Sequence, residues 1–252
     1  MENNQLFDYI IQHADSCLIL SHRLSEWCGH GPIMEQDIAM TNISLDILGQ
    51  AMMLYDYAAK VQGEGKNQDD LAFMRDAWDF KNALLTEMPN GDFAQTIMRQ
   101  FLFDTFNVNF YEELMKNSND EELIAIAAKS FKEAQYHLKW SSEWMLRLGL
   151  GTDESHARLQ NATDELMGYS NELVIPTEAD KVALAEGYGV DLEKIKAKRD
   201  AKVSEVIAEC ELNVSEKLFD HTGGKTGTHT EHLGFILAEM QFLQRAYPGL
   251  EW

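Results

Sequence analysis

The sequence predicts an all-α helical bundle, and three observations carry that prediction. Apolar residues recur at spacings of three and four through long blocks. Only four prolines occur in 252 residues, Pro32, Pro89, Pro176 and Pro248, each at a turn or a helix end. No block shows the strict apolar/polar alternation of a half-buried strand.

The first helix is expected from about Leu6 to Cys28, with Phe7, Ile10, Ile11, Ala14, Cys17, Leu18, Ser21 and Leu24 on one face and Gly29-His30-Gly31-Pro32 as its stop. A second spans about Glu35 to Val61. There Ile38, Ile43, Leu45, Ile47, Leu48, Met52, Leu54 and Tyr55 leave little of the circumference polar, which predicts a helix central to its bundle. After the Gly63-Glu64-Gly65-Lys66-Asn67 loop, a shorter helix from about Asp69 to Glu87 ends at the turn Met88-Pro89-Asn90-Gly91.

Asp92 reads as the N-cap of a helix from Phe93 to Lys116, whose seam Ile97, Phe101, Asp104, Val108, Tyr111, Met115 holds one carboxylate in an apolar line. Asn117-Ser118-Asn119-Asp120 breaks it. The next helix runs from about Glu121 to Leu148 along Ala127, Phe131, Ala134, Leu138, Ser141 and Met145 and ends in Gly149-Leu150-Gly151. Thr152-Asp153 opens another, to about Leu173. Beyond Pro176 the pattern loosens, with helices expected over about Asp191 to Leu212 and Thr230 to Ala246 and a Gly/Thr/Lys loop from Gly223 to Gly227. One domain over residues 1–252 is expected, with a core bundle over about 6–173 and a C-terminal helical extension over about 177–252.

Charge bounds the partners. With 21 Lys+Arg against 42 Asp+Glu, the formal charge is −21, a surface that repels phosphate backbones and anionic lipid heads and argues against nucleic-acid or membrane binding. Cys17, Cys28 and Cys210 form no C-x-x-C pair, which suits a reducing compartment. The first basic residue is Arg23, and no stretch free of Asp, Glu, Lys and Arg exceeds nine residues, so a cytoplasmic protein is expected.

Long helical pairs raise the question of a carboxylate-bridged di-metal site, which takes one Glu from each of two helices and a Glu-x-x-His from each of two others. The inventory is thin. Asp15 or Glu26 is available on the first helix, Asp46 with Gly49 three residues on in the second, Asp104 in the third, and His137 with Ala134 three residues before it in the fourth. Neither Glu-x-x-His is intact, although Glu133 and His137, four apart, share a face. Asp46, Asp104, Glu133 and His137 are therefore read as degenerate di-metal positions, buried polar groups that pair with one another.

The densest polar cluster is His221-Thr222-Gly223-Gly224-Lys225-Thr226-Gly227-Thr228-His229-Thr230-Glu231-His232. Its Gly-Lys-Thr lacks the earlier glycine and the preceding strand of a phosphate loop. His229, His232 and Glu239 could ligate one metal; the preferred reading caps a helix and bonds across a contact between subunits. Arg75-Asp76-Ala77-Trp78-Asp79-Phe80-Lys81-Asn82 is a solvated helix face or the wall of a groove for an anionic ligand. No G-x-S-x-G nucleophile motif occurs, so no catalytic residue is assigned.

Longer stretches are specific. Asp15-Ser16-Cys17-Leu18-Ile19-Leu20-Ser21-His22-Arg23-Leu24-Ser25-Glu26-Trp27-Cys28-Gly29-His30, Asn42-Ile43-Ser44-Leu45-Asp46-Ile47-Leu48-Gly49-Gln50-Ala51, Lys132-Glu133-Ala134-Gln135-Tyr136-His137-Leu138, and the C-terminal Thr222-Gly223-Gly224-Lys225, His229-Thr230-Glu231-His232-Leu233-Gly234 and Leu237-Ala238-Glu239-Met240-Gln241 resemble the C subunits of bacterial phenylacetyl-CoA epoxidases. The resemblance covers almost the whole chain, from near residue 15 to near 245.

It implies a ferritin-like helical bundle that is not itself the oxygenase. In that family a catalytic A subunit holds the di-iron centre and epoxidises the aromatic ring, a reductase subunit supplies electrons, and the C subunit pairs with A and supports it. This chain is then expected to hold no cofactor of its own, to bind A and the other epoxidase subunits, with a homodimer also open, and to meet the CoA portion of the substrate through Asp79, Phe80, Lys81 and Asn82. The alternative is an independent ferritin-like di-metal oxidase with a reduced ligand set of Asp46, Asp104, Glu133 and His137.

Overall fold

A computed structural model of the chain describes residues 2–215 and 218–250, and among them it is all helix and turn, with no strand, the all-α bundle of the ferritin-like class. The helices are α1 (Glu2–Ser25), α2 (Met34–Gln62), α3 (Gln68–Phe73), α4 (Leu84–Glu87), α5 (Phe93–Asn117) and α6 (Glu121–Gly149). They continue as α7 (Asp153–Ser170), α8 (Glu178–Glu186), α9 (Leu192–Glu209), α10 (Glu231–Met240) and α11 (Phe242–Ala246). No helix among the described residues is long and apolar enough to cross a membrane.

The chain divides into two compact units. The first takes in residues up to His30, Met34–Pro89 and the chain from Gly223 onward; the second takes in Gly31–Ile33 and Asn90–Thr222. In the first unit α1 and α2 pack antiparallel, because Tyr55 meets Asp15 at one end of the pair while Ser44 Oγ donates to the Ser21 carbonyl, 2.7 Å away, towards the other. Ile10, Ala14, Cys17 and Leu24 of α1 and Ile43, Ile47, Ala51 and Leu54 of α2 are buried where the two meet. α10 returns at the end of the chain to lie against α4.

The second unit is built on α5 and α6, with α7 and α9 against them. Asp92 caps α5 by accepting from the Gln95 backbone N–H at 3.0 Å, and Gln95 answers to the Asp92 N–H, a reciprocal box that fixes where the helix begins. At the far end of α6, a Cβ on Gly149 would stand 2.7 Å from Cys210 Cβ, so a glycine is what lets α9 close on it.

Two departures from the sequence reading have physical causes. The helix expected from Asp69 to Glu87 is three short pieces, α3, a 3-10 turn at Ala77–Asp79, and α4. Between them the backbone N–H groups of Lys81 and Ala83 donate to Asp15 Oδ2 (2.7 Å) and Ser16 Oγ (3.1 Å) on α1, so buried polar groups take donors that a helix would use internally. The other concerns α2. Its apolar residues leave little of the circumference polar, yet Ile38, Leu45 and Met52 are exposed while Ile43, Ile47 and Leu54 are buried.

Candidate functional site

Polar residues in the interior gather in three places. In the second unit, the Asp104 carboxylate on α5 accepts from Gln100 Nε2 at 2.7 Å and from Ser141 Oγ at 2.8 Å, both buried, with His137 of α6 close enough to act on its charge. Burial pushes the Asp104 pKa up to about 6 against the opposing pull of His137, Ser141 and Gln100. A carboxyl raised in the folded state favours the protonated fold, so its contribution falls as pH rises from about 4 to about 6. Asp104→Asn, which keeps an acceptor for Gln100 and removes the charge, is expected to gain about 1–3 kcal/mol at pH 8 and to flatten that part of the stability profile. Urea melts from pH 4 to 8 check it; a loss at pH 8 would show that the charge is needed.

In the first unit, Asp15 on α1 is fully buried and collects donors from three elements. Arg75 grips it with both terminal nitrogens, one at 3.0 Å, while Tyr55 Oη donates at 2.6 Å and the Lys81 backbone N–H at 2.7 Å. The guanidinium lies over the Phe80 ring at 4.3 Å. Burial opposes the charge on Arg75, but Asp15 and Tyr55 hold it protonated well above the ordinary range. Burial and the Asp15 charge push the Tyr55 hydroxyl far up, so it remains a donor.

The third place centres on Glu87, the last residue of α4, whose side chain has no exposure. Its carboxylate accepts from the Thr230 backbone N–H at 2.6 Å, from Asn82 Nδ2 at 3.0 Å and from His229 Nδ1 at 2.9 Å. The other nitrogen, His229 Nε2, lies 2.9 Å from the Phe80 carbonyl. Both ring nitrogens thus face acceptors, and only the doubly protonated imidazolium can donate to both. Burial works against that cation, while Glu87 and the Phe80 carbonyl outweigh it and raise its pKa. Arg23 adds two donations to the Glu87 carbonyl, at 3.1 and 2.8 Å.

Glycines let the loop reach this cluster. A Cβ on Gly224 would lie 2.3 Å from the Asn82 carbonyl oxygen, and one on Gly227, where φ is +88°, would lie 2.6 Å from the Trp78 carbonyl. The Gly/Thr/Lys segment is a strap laid on residues 78–87.

Residues 1–252 match the phenylacetic acid catabolic protein family. The chain belongs to it. It is 49% identical over 249 residues, 99% of this chain and all of the other, to the C subunit of the 1,2-phenylacetyl-CoA epoxidase of Escherichia coli (strain K12). For a member of the phenylacetic acid catabolic protein family with a ferritin-like bundle, the first question is whether its residues fit a di-metal centre. They do not. Ala134, three residues before His137, and Gly49, three residues after Asp46, leave no Glu-x-x-His pair on those helices, and both Asp104 oxygens already accept hydrogen bonds. Among the described residues no group of three His, Cys, Asp or Glu is placed to hold a metal ion.

The other residues singled out from sequence are placed as follows. Asp46 is half-buried on α2, and Glu133 is half-buried on α6, which also carries the buried His137. Asp79 is exposed and Lys81 half-buried, while Phe80 and Asn82 are buried in the frame just described. His229, expected at a contact between subunits, engages both ring nitrogens within its own chain; His232 is half-buried and Glu239 exposed. Sequence reasoning missed Glu87 and the Arg75 to Asp15 pairing, whose partners lie 142 and 60 residues apart.

Proposed function

We propose that this chain is the non-catalytic structural subunit of a phenylacetyl-CoA ring epoxidase, pairing with and stabilising a di-iron catalytic A subunit and assembling with the other epoxidase subunits, the reductase among them. The single observation that carries the reading is end-to-end similarity to the C subunit of an epoxidase, at 49% identity over 99% of the chain. Its support from chemistry is the polar interior. Asp104, Asp15 and Glu87 are each enclosed by donors from the chain itself, which is how buried carboxylates are held in place rather than how they are left open to metal or substrate. On this reading the di-iron centre belongs to the A subunit, and Asp46, Asp104, Glu133 and His137 are the remnants of a ligand set. Any contact with the CoA portion falls to Asp79 and Lys81, since Phe80 and Asn82 are committed inside.

The test has two readouts. The chain purified alone from iron-replete cells is expected to carry well under a tenth of an equivalent of iron or manganese, and the A subunit is expected to lose solubility and turnover without it and regain both on co-expression. One to two equivalents of metal, or an A subunit indifferent to this chain, would instead favour the independent di-metal oxidase.

A further inference from the structure

A cavity of about 270 Å³ opens in the first unit between α1, α2 and α3. Close-packed interiors leave few voids larger than a water molecule, so a space of this size is more than a packing remainder. Ala51 and Ala72, both buried, leave the room, and Leu18, Leu48 and Phe73 make its walls apolar. Where a cavity of roughly 150 Å³ takes the six atoms of benzene, this one takes about ten heavy atoms. Rings from three helices line it, His22 of α1, Tyr55 of α2 and Phe73 of α3. The Tyr55 hydroxyl donates to the buried Asp15 at 2.6 Å, so that wall is fixed before anything binds. An apolar cavity with preset rings and a few polar groups at its edge has the make-up of a small-molecule site.

Charge selects the ligand. Asp69 and Met52 line the cavity and are exposed, which places them at its mouth, and the Asp69 carboxylate makes no ion pair among the described residues. No Lys or Arg is among the described residues that line it. Arg75, whose guanidinium lies 5.6 Å from the Tyr55 ring centre, is matched by the Asp15 carboxylate. Burial draws the His22 pKa below its ordinary value, so this ring lines the cavity uncharged at neutral pH. A negative mouth on an uncharged aromatic interior attracts an organic cation and repels a carboxylate. We propose that this cavity binds an arylalkylammonium ion of about ten heavy atoms, its ring enclosed by Tyr55, Phe73 and Leu18 and its ammonium beside Asp69. The site goes beyond the subunit reading above and does not depend on it.

Titration calorimetry of the chain at pH 8 tests it with probes that share a phenyl ring and differ in the head group: phenethylammonium, 2-phenylethanol and phenylacetate. Phenethylammonium is expected to bind with a Kd on the order of 0.1 mM, the alcohol about fivefold more weakly, and phenylacetate at least about 30-fold more weakly. Asp69→Asn should cost the ammonium ion about threefold and leave the alcohol unchanged, with the wild-type melting temperature, since Asp69 is exposed. Met52→Trp, which fills the mouth from an exposed position, should weaken phenethylammonium by about tenfold or more, and Leu48→Trp serves if Met52→Trp does not fold. Phenylacetate binding as tightly as phenethylammonium overturns the proposal, as does the absence of any heat with the ammonium ion up to about 10 mM. Ammonium binding that Asp69→Asn leaves unchanged overturns the head-group assignment and the proposal with it. Binding within threefold of wild type in a folded Met52→Trp or Leu48→Trp variant places the probe elsewhere on the chain and also overturns it.

Discussion

Asp15→Ala is expected to lower the unfolding free energy by about 3–5 kcal/mol, a large share of the stability of a domain. The carboxylate has no exposure and the Arg75 side chain only 13%, so removing Asp15 leaves a guanidinium enclosed between rings without its counter-charge. It also takes the acceptor from the Tyr55 hydroxyl and from the Lys81 N–H, and that second loss frees the segment between α3 and α4 from α1. Breaking one side of such a pair is worse than removing both. Asp15→Asn with Arg75→Met should therefore be more stable than Asp15→Ala alone, because the uncompensated cation is gone. Urea unfolding at pH 7 measures both, and a loss under about 1 kcal/mol for Asp15→Ala would mean that water reaches Arg75 and screens it.

That pair also shows where sequence reading stops. The 3-4 period of the long helices is a local property, and α1, α2, α5 and α6 begin and end within a few residues of where caps and glycines place them. Residues 69–87 carry the same kind of period. There the outcome is settled by Asp15 and Ser16, more than sixty residues away, which draw the backbone N–H groups of Lys81 and Ala83 out of a helical ladder. The short α8 lacks length enough for periodicity to declare it, although Thr177 and Asp180 form its capping box. α2 misled in a more useful way. A helix with little of its circumference polar was expected at the centre of its bundle, whereas this one buries one face and leaves Ile38, Leu45 and Met52 of the other exposed. Composition cannot separate those cases, since an exposed apolar face and a core face are made of the same residues.

The site was legible in part for the same reason. Asp104 in an apolar seam and the broken Glu-x-x-His motifs are visible within single helices. The Glu87 and His229 contact is not, because neither residue carries a local mark of its partner. His229 stood out only as one of several polar residues in a glycine-rich segment.

Glu87 and His229 give the second large effect. The His229 side chain is 5% exposed and its pKa lies above the ordinary 6.5, so the imidazolium stabilises the fold fully below pH 6.5 and that contribution is lost as pH rises through the raised value. Hydrogen exchange of the 223–240 segment should accordingly quicken on the alkaline side, while α5 and α6 keep their protection. Glu87→Ala is expected to cost about 3–5 kcal/mol near pH 6, because it removes the partner of the buried His229 and leaves the Thr230 N–H without its acceptor. It should also reverse the sign. With Glu87 gone, burial dominates over the Phe80 carbonyl and the more distant Asp15, His229 falls below its ordinary pKa, and the mutant gains stability as pH rises toward neutrality. His229→Gln, which can still donate to one acceptor but cannot titrate, should show neither slope. If Glu87→Ala and wild type instead run parallel from pH 5 to 9, the imidazolium is not what holds the strap, and the closure of Gly224 and Gly227 on residues 78–84 must carry it through backbone packing alone.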